Sequence, residues 1–225
     1  MTIPEGTFIV FTLTLISLIG TLLLFSNNIS FFFLSLLFIL LHFFYSLYLK
    51  KYPIIDIFTI SFSFMIRAFA GEIATGFHIP IWLLLTIFFG SLFMASVKRH
   101  AELVSQGKET RLSLISYKEH LLDFLTNTFA TTTIIAYATY TYVEKPPQTN
   151  SFFSGIVSNL FPSFEARKWM MITIPIVVYG IARYAQLLYE KSEGERPEKI
   201  ITTDIPLVVT VFLGGIIVIS LIYIF

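Results

Sequence analysis

Five basic residues have positions that suit the binding of a multiply charged anion. Arg67 and Arg183 lie inside long apolar stretches, Lys98 and Arg99 end another, and Lys50 follows a fourth. Ionisable residues in such surroundings are costly and mark functional sites by default. Arginine offers a bidentate fork to a phosphate and lysine a point charge. We therefore predict one cationic cavity that takes a diphosphate or a phosphate ester.

A polar stripe leads toward Arg67. Asp56, Ser63 and Arg67 are separated by seven and four residues, so in a helix they fall within roughly 20° of one line. By the helical rise, Arg67 lies about 16 Å along the axis from Asp56. The alternative to a ligand pocket is an arginine that ties helices together through backbone carbonyls.

Two other stretches show polar spacing of the helical kind. Glu102 lies four residues after Lys98 and three after Arg99, so it can form an ion pair with either. The stretch around Arg183 places a polar residue at intervals of four, three and four: Tyr179, Arg183, Gln186 and Glu190. Such a face is expected to point into a helical bundle.

The elements that position these residues must lie in a membrane. Of 225 residues, 56% are hydrophobic and 13% are charged, and the mean hydropathy is +0.80. Soluble domains carry roughly a quarter charged residues. The absence of cysteine excludes disulfide scaffolds, thiol catalysis and cysteine-ligated zinc. A net charge of +1 argues against a nucleic-acid partner.

Seven apolar stretches approach the 20 or so residues that a bilayer requires. Because they are continuously apolar rather than alternating, they predict helices and not a barrel. The predicted fold class is all-α, a polytopic membrane protein with seven transmembrane helices and a single domain over residues 1–225. The predicted spans are 7–26, 29–49, 56–76, 80–97, 120–143, 169–189 and 205–225, with a kink at Pro175 in the sixth.

The basic residues of the short loops predict the orientation. With the amino terminus in the cytoplasm, the inner loops hold ten Lys and Arg residues and the outer loops hold three. Cytoplasmic loops carry the excess of cations. We expect an integral protein of the cytoplasmic membrane with its amino terminus inside and its carboxyl terminus outside.

Several segments resemble the UbiA-type prenyltransferase superfamily. They are Tyr45-Ser-Leu-Tyr-Leu-Lys50, then Asp56, then Phe64-Met-Ile-Arg-Ala-Phe-Ala-Gly71, and Gly90-Ser-Leu-Phe-Met-Ala-Ser-Val-Lys-Arg-His-Ala-Glu-Leu103. Within the superfamily the chain is similar to the decaprenyl-phosphate phosphoribosyltransferase branch, and Arg183-Tyr184 and Asp204 agree with this.

This resemblance implies an enzyme, a transferase that moves phosphoribose from phosphoribosyl diphosphate to a polyprenyl phosphate lipid with Mg²⁺ as cofactor. It also implies a bundle of nine helices, of which this chain would supply seven. The first two, with their Asn-Asp-x-x-Asp type motif for the metal, have no counterpart here, so the domain is expected to be N-terminally incomplete. We therefore expect the 225 residues alone to be unstable and inactive.

The resemblance also implies roles for single residues. Lys50, Lys98, Arg99 and Arg183 are expected to hold phosphates, and Tyr45 to donate a hydrogen bond. Asp56 is the candidate catalytic residue, binding a sugar hydroxyl or a second Mg²⁺. Arg67 and Glu102 complete the predicted substrate-binding set.

Three alternatives stay open from the sequence. A UbiA-type enzyme could instead move a prenyl group from a prenyl diphosphate to an aromatic or other acceptor, although such enzymes usually carry a second Asp-rich motif where this chain has Tyr45 and Lys50. A transporter or channel is disfavoured because the two halves show no symmetry. The third alternative is an inactive fragment or assembly subunit.

Overall fold

The computed structural model describes residues 3–24, 28–106, 119–144, 170–190 and 203–224. These residues form seven α-helices and contain no strand, which confirms the predicted all-α fold. The helices are α1 (Ile3–Leu24), α2 (Ile29–Leu47), α3 (Ile55–Thr75), α4 (Ile81–Gln106), α5 (Glu119–Val143), α6 (Ile174–Glu190) and α7 (Ile205–Ile224). Short 3-10 helices at Leu49–Lys51 and Met170–Thr173 precede α3 and α6.

Four segments are long and apolar enough to cross a membrane, namely Ile29–Leu47, Ile55–Thr75, Ile81–Leu103 and Met170–Leu187. The chain is an integral membrane protein. For α1, α5 and α7 the crossing stays a prediction, since the apolar parts found in α1 and α7 are shorter, Phe8–Leu23 and Ile205–Leu221.

The described helices divide into two compact units, Met1–Ile79 with α1 to α3 and Pro80–Phe225 with α4 to α7. The single domain over residues 1–225 stays a prediction. Each unit has its own packing.

In the first unit, a tight corner joins α2 to α3. The Ile55 N–H donates to the Pro53 carbonyl over 2.7 Å, and Ile54 between them has φ 67° and ψ −48°. This is the rare, strained form of the γ-turn, and a β-branched residue is poorly suited to positive φ. The strain sits two residues before Asp56, at the start of α3. The other end of α3 is closed by Gly76 in the left-handed conformation, whose N–H donates to the Glu72 carbonyl over 2.8 Å.

In the second unit, α4 and α5 pack against each other over most of their length. Leu92 of α4 and Leu122, Leu125 and Phe129 of α5 are buried. Phe93 of α4 is also buried, and its ring packs edge-on against Tyr184 of α6. The helices are antiparallel, since the end of α4 meets the start of α5 and Gly90 meets Thr133; a Cβ at Gly90 would lie 3.6 Å from the Thr133 methyl.

Buried hydroxyls on α4 and α5 donate within their own helices. Ser96 donates to the Leu92 carbonyl over 2.8 Å and Thr133 to the Phe129 carbonyl over 2.6 Å. An apolar environment offers no water to such groups, so the helix itself must satisfy them. Thr133 can therefore lie in the packed interior of α5 with its hydroxyl satisfied.

Two predicted details of the helices were wrong. Pro175 lies not in the interior of the sixth α-helix but in its first turn, because the α-helix begins only at Ile174. Proline is tolerated there, since its missing N–H has no partner to lose. The fourth helix does not end near residue 97 but runs to Gln106. Lys98, Glu102 and their neighbours are good helix formers, so the helix continues past its apolar part.

The α4–α5 interface generates a stability prediction. Leu92 is 1% exposed, whereas Met94 on the same helix is 38% exposed. Leu92→Ala should lower the free energy of unfolding by about 2 to 5 kcal/mol, since it leaves a cavity, and Met94→Ala by about 0.5 kcal/mol or less. Unfolding in mixed micelles of increasing SDS content, followed by circular dichroism, measures both. Equal effects of the two substitutions would contradict the packing described.

Candidate functional site

The predicted site residues of the first unit lie at the α2–α3 corner, defined as residues 45–56. Asp56 is fully buried in the first turn of α3, and its Oδ1 accepts the N–H of Ile57 over 2.9 Å. A carboxylate in this position interacts favourably with the helix dipole. Tyr45 is half-buried and Lys50 is exposed. The Lys51 ammonium lies 5.8 Å from the centre of the Tyr48 ring.

In the second unit, the end of α4 and the start of α5 form a charge cluster, made of Lys98, Arg99, His100, Glu102 and Asp123. Arg99 is 1% exposed and forms an ion pair with Glu102, which confirms one of the two predicted pairings. His100 is buried, and its Nε2 lies 3.3 Å from Asp123 Oδ1. Lys98 is half-buried.

A second ion pair joins α6 to the start of α7. The Arg183 Nη2 donates to Asp204 Oδ2 over 2.9 Å and its Nε to Oδ1 over 3.3 Å. Its Nη1 donates to the Gln186 side chain over 3.1 Å. Asp204 Oδ1 also accepts the N–H of Leu207 over 3.0 Å, which makes Asp204 the N-cap of α7.

Arg67 has a different environment. It lines a cavity of about 360 Å³ bounded by α1, α2 and α3. Its guanidinium carbon lies 4.3 Å from the centre of the Phe64 ring and 5.6 Å from that of Phe38. These are cation–π contacts.

The structure thus groups the predicted site residues within each unit. Tyr45, Lys50 and Asp56 share the corner, and Arg99 and Glu102 share the charge cluster with Lys98. The single cavity of five cations stays a prediction.

The sequence analysis did not identify the partners of two residues. Asp204 pairs with Arg183, and Asp123 faces His100. The members of each pair lie on different helices, so no helical spacing reveals them. For Asp204, His100 and Asp123 the available signal was position alone, because these three residues lie near predicted span ends.

The positions of the acidic residues show whether the described part of the chain could bind the Mg²⁺ that the resemblance implies. In the ranges that the structure describes, no three His, Asp or Glu side chains come together as metal ligands. Glu102, Asp123 and Asp204 each face a basic side chain instead. The described residues alone therefore do not fit a Mg²⁺ site, which needs hard oxygen ligands grouped around the ion.

Known proteins match most of the chain. It is 33% identical over 158 residues to the decaprenyl-phosphate phosphoribosyltransferase of Corynebacterium glutamicum. This match covers 69% of this chain and 43% of that protein. It is 34% identical over 161 residues to the enzyme of that name from Mycolicibacterium smegmatis, covering 69% and 47%. The chain is a homologue of the decaprenyl-phosphate phosphoribosyltransferases. The resemblance found in the sequence is thereby confirmed.

A third relative of the same name, from Mycobacterium tuberculosis, is 36% identical over 109 residues, covering 47% of this chain and 36% of that protein. The chain spans less than half the length of the curated relatives it matches. No family model matches it.

The double role of Asp204 leads to a prediction. Asp204→Asn removes the charge but keeps a good N-cap residue, so it should lose only the ion pair, about 1.5 to 3 kcal/mol. Asp204→Ala removes the N-cap as well, which should lower the free energy of unfolding by about 1 kcal/mol more. Unfolding free energies in SDS-containing micelles would give both values. If Asp204→Asn were as stable as the wild type, the ion pair would contribute nothing to stability. If Asp204→Ala lost no more stability than Asp204→Asn, the N-cap would contribute nothing.

Proposed function

We propose that the chain belongs to an enzyme that transfers phosphoribose from phosphoribosyl diphosphate to the phosphate of a polyprenyl lipid. The observation that carries this proposal is the homology over 158 residues with proteins named decaprenyl-phosphate phosphoribosyltransferase. The matched length is 43% of the relative, so the activity is proposed for the enzyme to which these helices contribute.

The reaction forms a bond between an oxygen of the lipid phosphate and the anomeric carbon of the ribose. The bond from that carbon to the diphosphate breaks, and diphosphate leaves with the electron pair. No general base is required, because the lipid phosphate is already an anionic nucleophile. The protein must neutralise the leaving group, align the lipid phosphate and exclude water.

The basic residues at helix ends suit this task. In the described ranges Lys50 is exposed and makes no ion pair, so it can approach a phosphate as a point charge. Arg99 and Arg183 are each held by a carboxylate. A guanidinium has five N–H donors, so one carboxylate partner fixes its position without preventing contact with a phosphate. We assign Lys98 to the same phosphates, with Glu102 as the group that positions Arg99.

The α2–α3 corner supplies the remaining proposed contacts. Asp56 would accept a hydrogen bond from a ribose hydroxyl, and Tyr45 would donate one to an oxygen of the substrate. Mg²⁺ stays a proposed cofactor whose ligands are not among the described groups, and no step is assigned to it. The proposed orientation keeps the amino terminus, Lys50 and Lys98 on the cytoplasmic side, where a water-soluble sugar diphosphate is available.

Ligand class is the first test of the proposal. Phosphoribosyl diphosphate should raise the melting temperature of the complete, detergent-solubilised enzyme by mass action, and geranylgeranyl diphosphate should raise it less. Each is measured with Mg²⁺ and with EDTA, which also tests the metal requirement. Stabilisation by the prenyl diphosphate but not by the sugar diphosphate would instead support prenyl transfer.

Lys98 provides a test by substitution in the complete enzyme. Its ammonium should make a charge-assisted bond to phosphate, worth about 1.5 to 3 kcal/mol. Lys98→Ala should therefore lower turnover by roughly tenfold or more. Lys51→Ala is the matched control, because Lys51 is exposed and stacks on Tyr48. Wild-type turnover in Lys98→Ala, measured by transfer of radiolabelled phosphoribose, would exclude the proposed role.

A further inference from the structure

Arg67 holds its charge in the middle part of α3, far from either end of the helix. By the helical rise its Cα is about 18 Å from the start of α3 and about 12 Å from the end. The guanidinium packs against Phe64, one turn closer to the start, and against Phe38 in the middle of α2. An arginine near a membrane surface normally extends its charge to the interface. Here the charge stays at mid-depth, beside the cavity.

Among the described residues, those that line the cavity beside Arg67 include no acidic side chain. Besides apolar side chains it is lined by the hydroxyls of Thr14, Ser17 and Ser35. Thr14 donates to the Val10 carbonyl over 2.8 Å and Ser35 to the Phe31 carbonyl over 2.9 Å, so both hydroxyls are engaged by their own helices. Within the described residues, Arg67 contacts two aromatic rings but has neither a hydrogen-bond nor an ion-pair partner. It is also exposed.

A second copy of this chain is a poor source of the missing anion. The acidic residues of the described helices all lie within five residues of a helix end; examples are Asp56, Glu72, Glu102 and Asp123. None of them stands at the depth of Arg67. A bilayer lipid is also a poor source, because its phosphate lies outside a hydrocarbon core about 30 Å thick.

We propose that the Arg67 cavity is a docking site for another membrane helix that carries an aspartate or glutamate near its midpoint. Charged residues inside a membrane pair with one another, and a helix is the structure that brings a carboxylate to this depth with its backbone satisfied. The apolar lining of the cavity suits the side chains next to such a carboxylate. This inference does not rest on the proposed transferase activity.

The test uses a designed helix as the probe. A leucine- and alanine-rich peptide of about 24 residues carries one central glutamate, and a matched peptide carries glutamine. Because the chain has no cysteine, Phe77→Cys gives a single attachment point for a fluorescent donor, at an exposed residue just beyond α3. Energy transfer to labelled peptide in phosphatidylcholine vesicles then measures association.

The glutamate peptide should associate roughly fivefold or more strongly than the glutamine peptide. Arg67→Gln should abolish this preference, and Arg67→Lys should retain part of it. Circular dichroism controls for folding, and the comparison of the two peptides on the unaltered Arg67 chain stands even if a variant fails to fold.

Three results would overturn the proposal. The first is equal association of both peptides with the Arg67 chain, and the second is a glutamate preference that survives in folded Arg67→Gln. The third is an Arg67-dependent complex with phosphatidylglycerol, detected by native mass spectrometry, that the glutamate peptide does not displace. That last result would assign the cavity to a lipid anion.

Discussion

The cost of holding charge among apolar helices is the constraint on which this structure depends. An unpaired charge in a low-dielectric interior is destabilising, so buried ions need partners. Arg99 with Glu102 and Arg183 with Asp204 satisfy this requirement, and the buried His100 lies beside Asp123. Each pair also fixes where its cation stands. Arg99 and Arg183, two of the groups proposed to bind phosphate, are therefore held in place by the same contacts that make their charges tolerable.

The carboxylates of these pairs stand near helix ends, and the packing between the helices brings Asp123 and Asp204 to their partners. Close α4–α5 packing aligns the end of one helix with the start of the next, which places Asp123 opposite His100. In the α6–α7 pair, a Cβ at Gly180 would lie 3.7 Å from the Thr210 methyl, and one at Gly214 3.3 Å from Ile176. Small residues that allow close approach are typical of helix contacts in membranes. A side chain at Gly214 would press on Ile176, whereas a methyl group at Gly180 would make ordinary van der Waals contact.

Sequence reasoning succeeded where a single local rule decides the outcome. Continuous apolar stretches predicted seven helices. Spacings of four and three predicted that Glu102 pairs with Lys98 or Arg99, and the pair with Arg99 is present. It failed where two rules compete, as at Pro175, where a proline within an apolar stretch marks a helix start instead of a kink. It also could not predict contacts between helices, such as Arg183 with Asp204, because they depend on packing and not on spacing. The positive φ of Ile54 had no sequence signal either, since isoleucine normally avoids that region.

Ile54 shows how the α2–α3 corner differs from an ordinary turn. A residue held in this conformation is strained by about 1 to 3 kcal/mol, and glycine would adopt it without strain. Strain of this kind persists only where the surrounding structure over-determines the backbone. The corner is constrained on both sides, by the 3-10 helix that carries Lys50 and by the buried carboxylate of Asp56 at the start of α3. Because Asp56 is the second residue after Ile54, relaxing the turn would rotate the first turn of α3 and move that carboxylate. The strained turn therefore has the same effect as the ion pairs, because each holds a polar group in a fixed position among apolar helices.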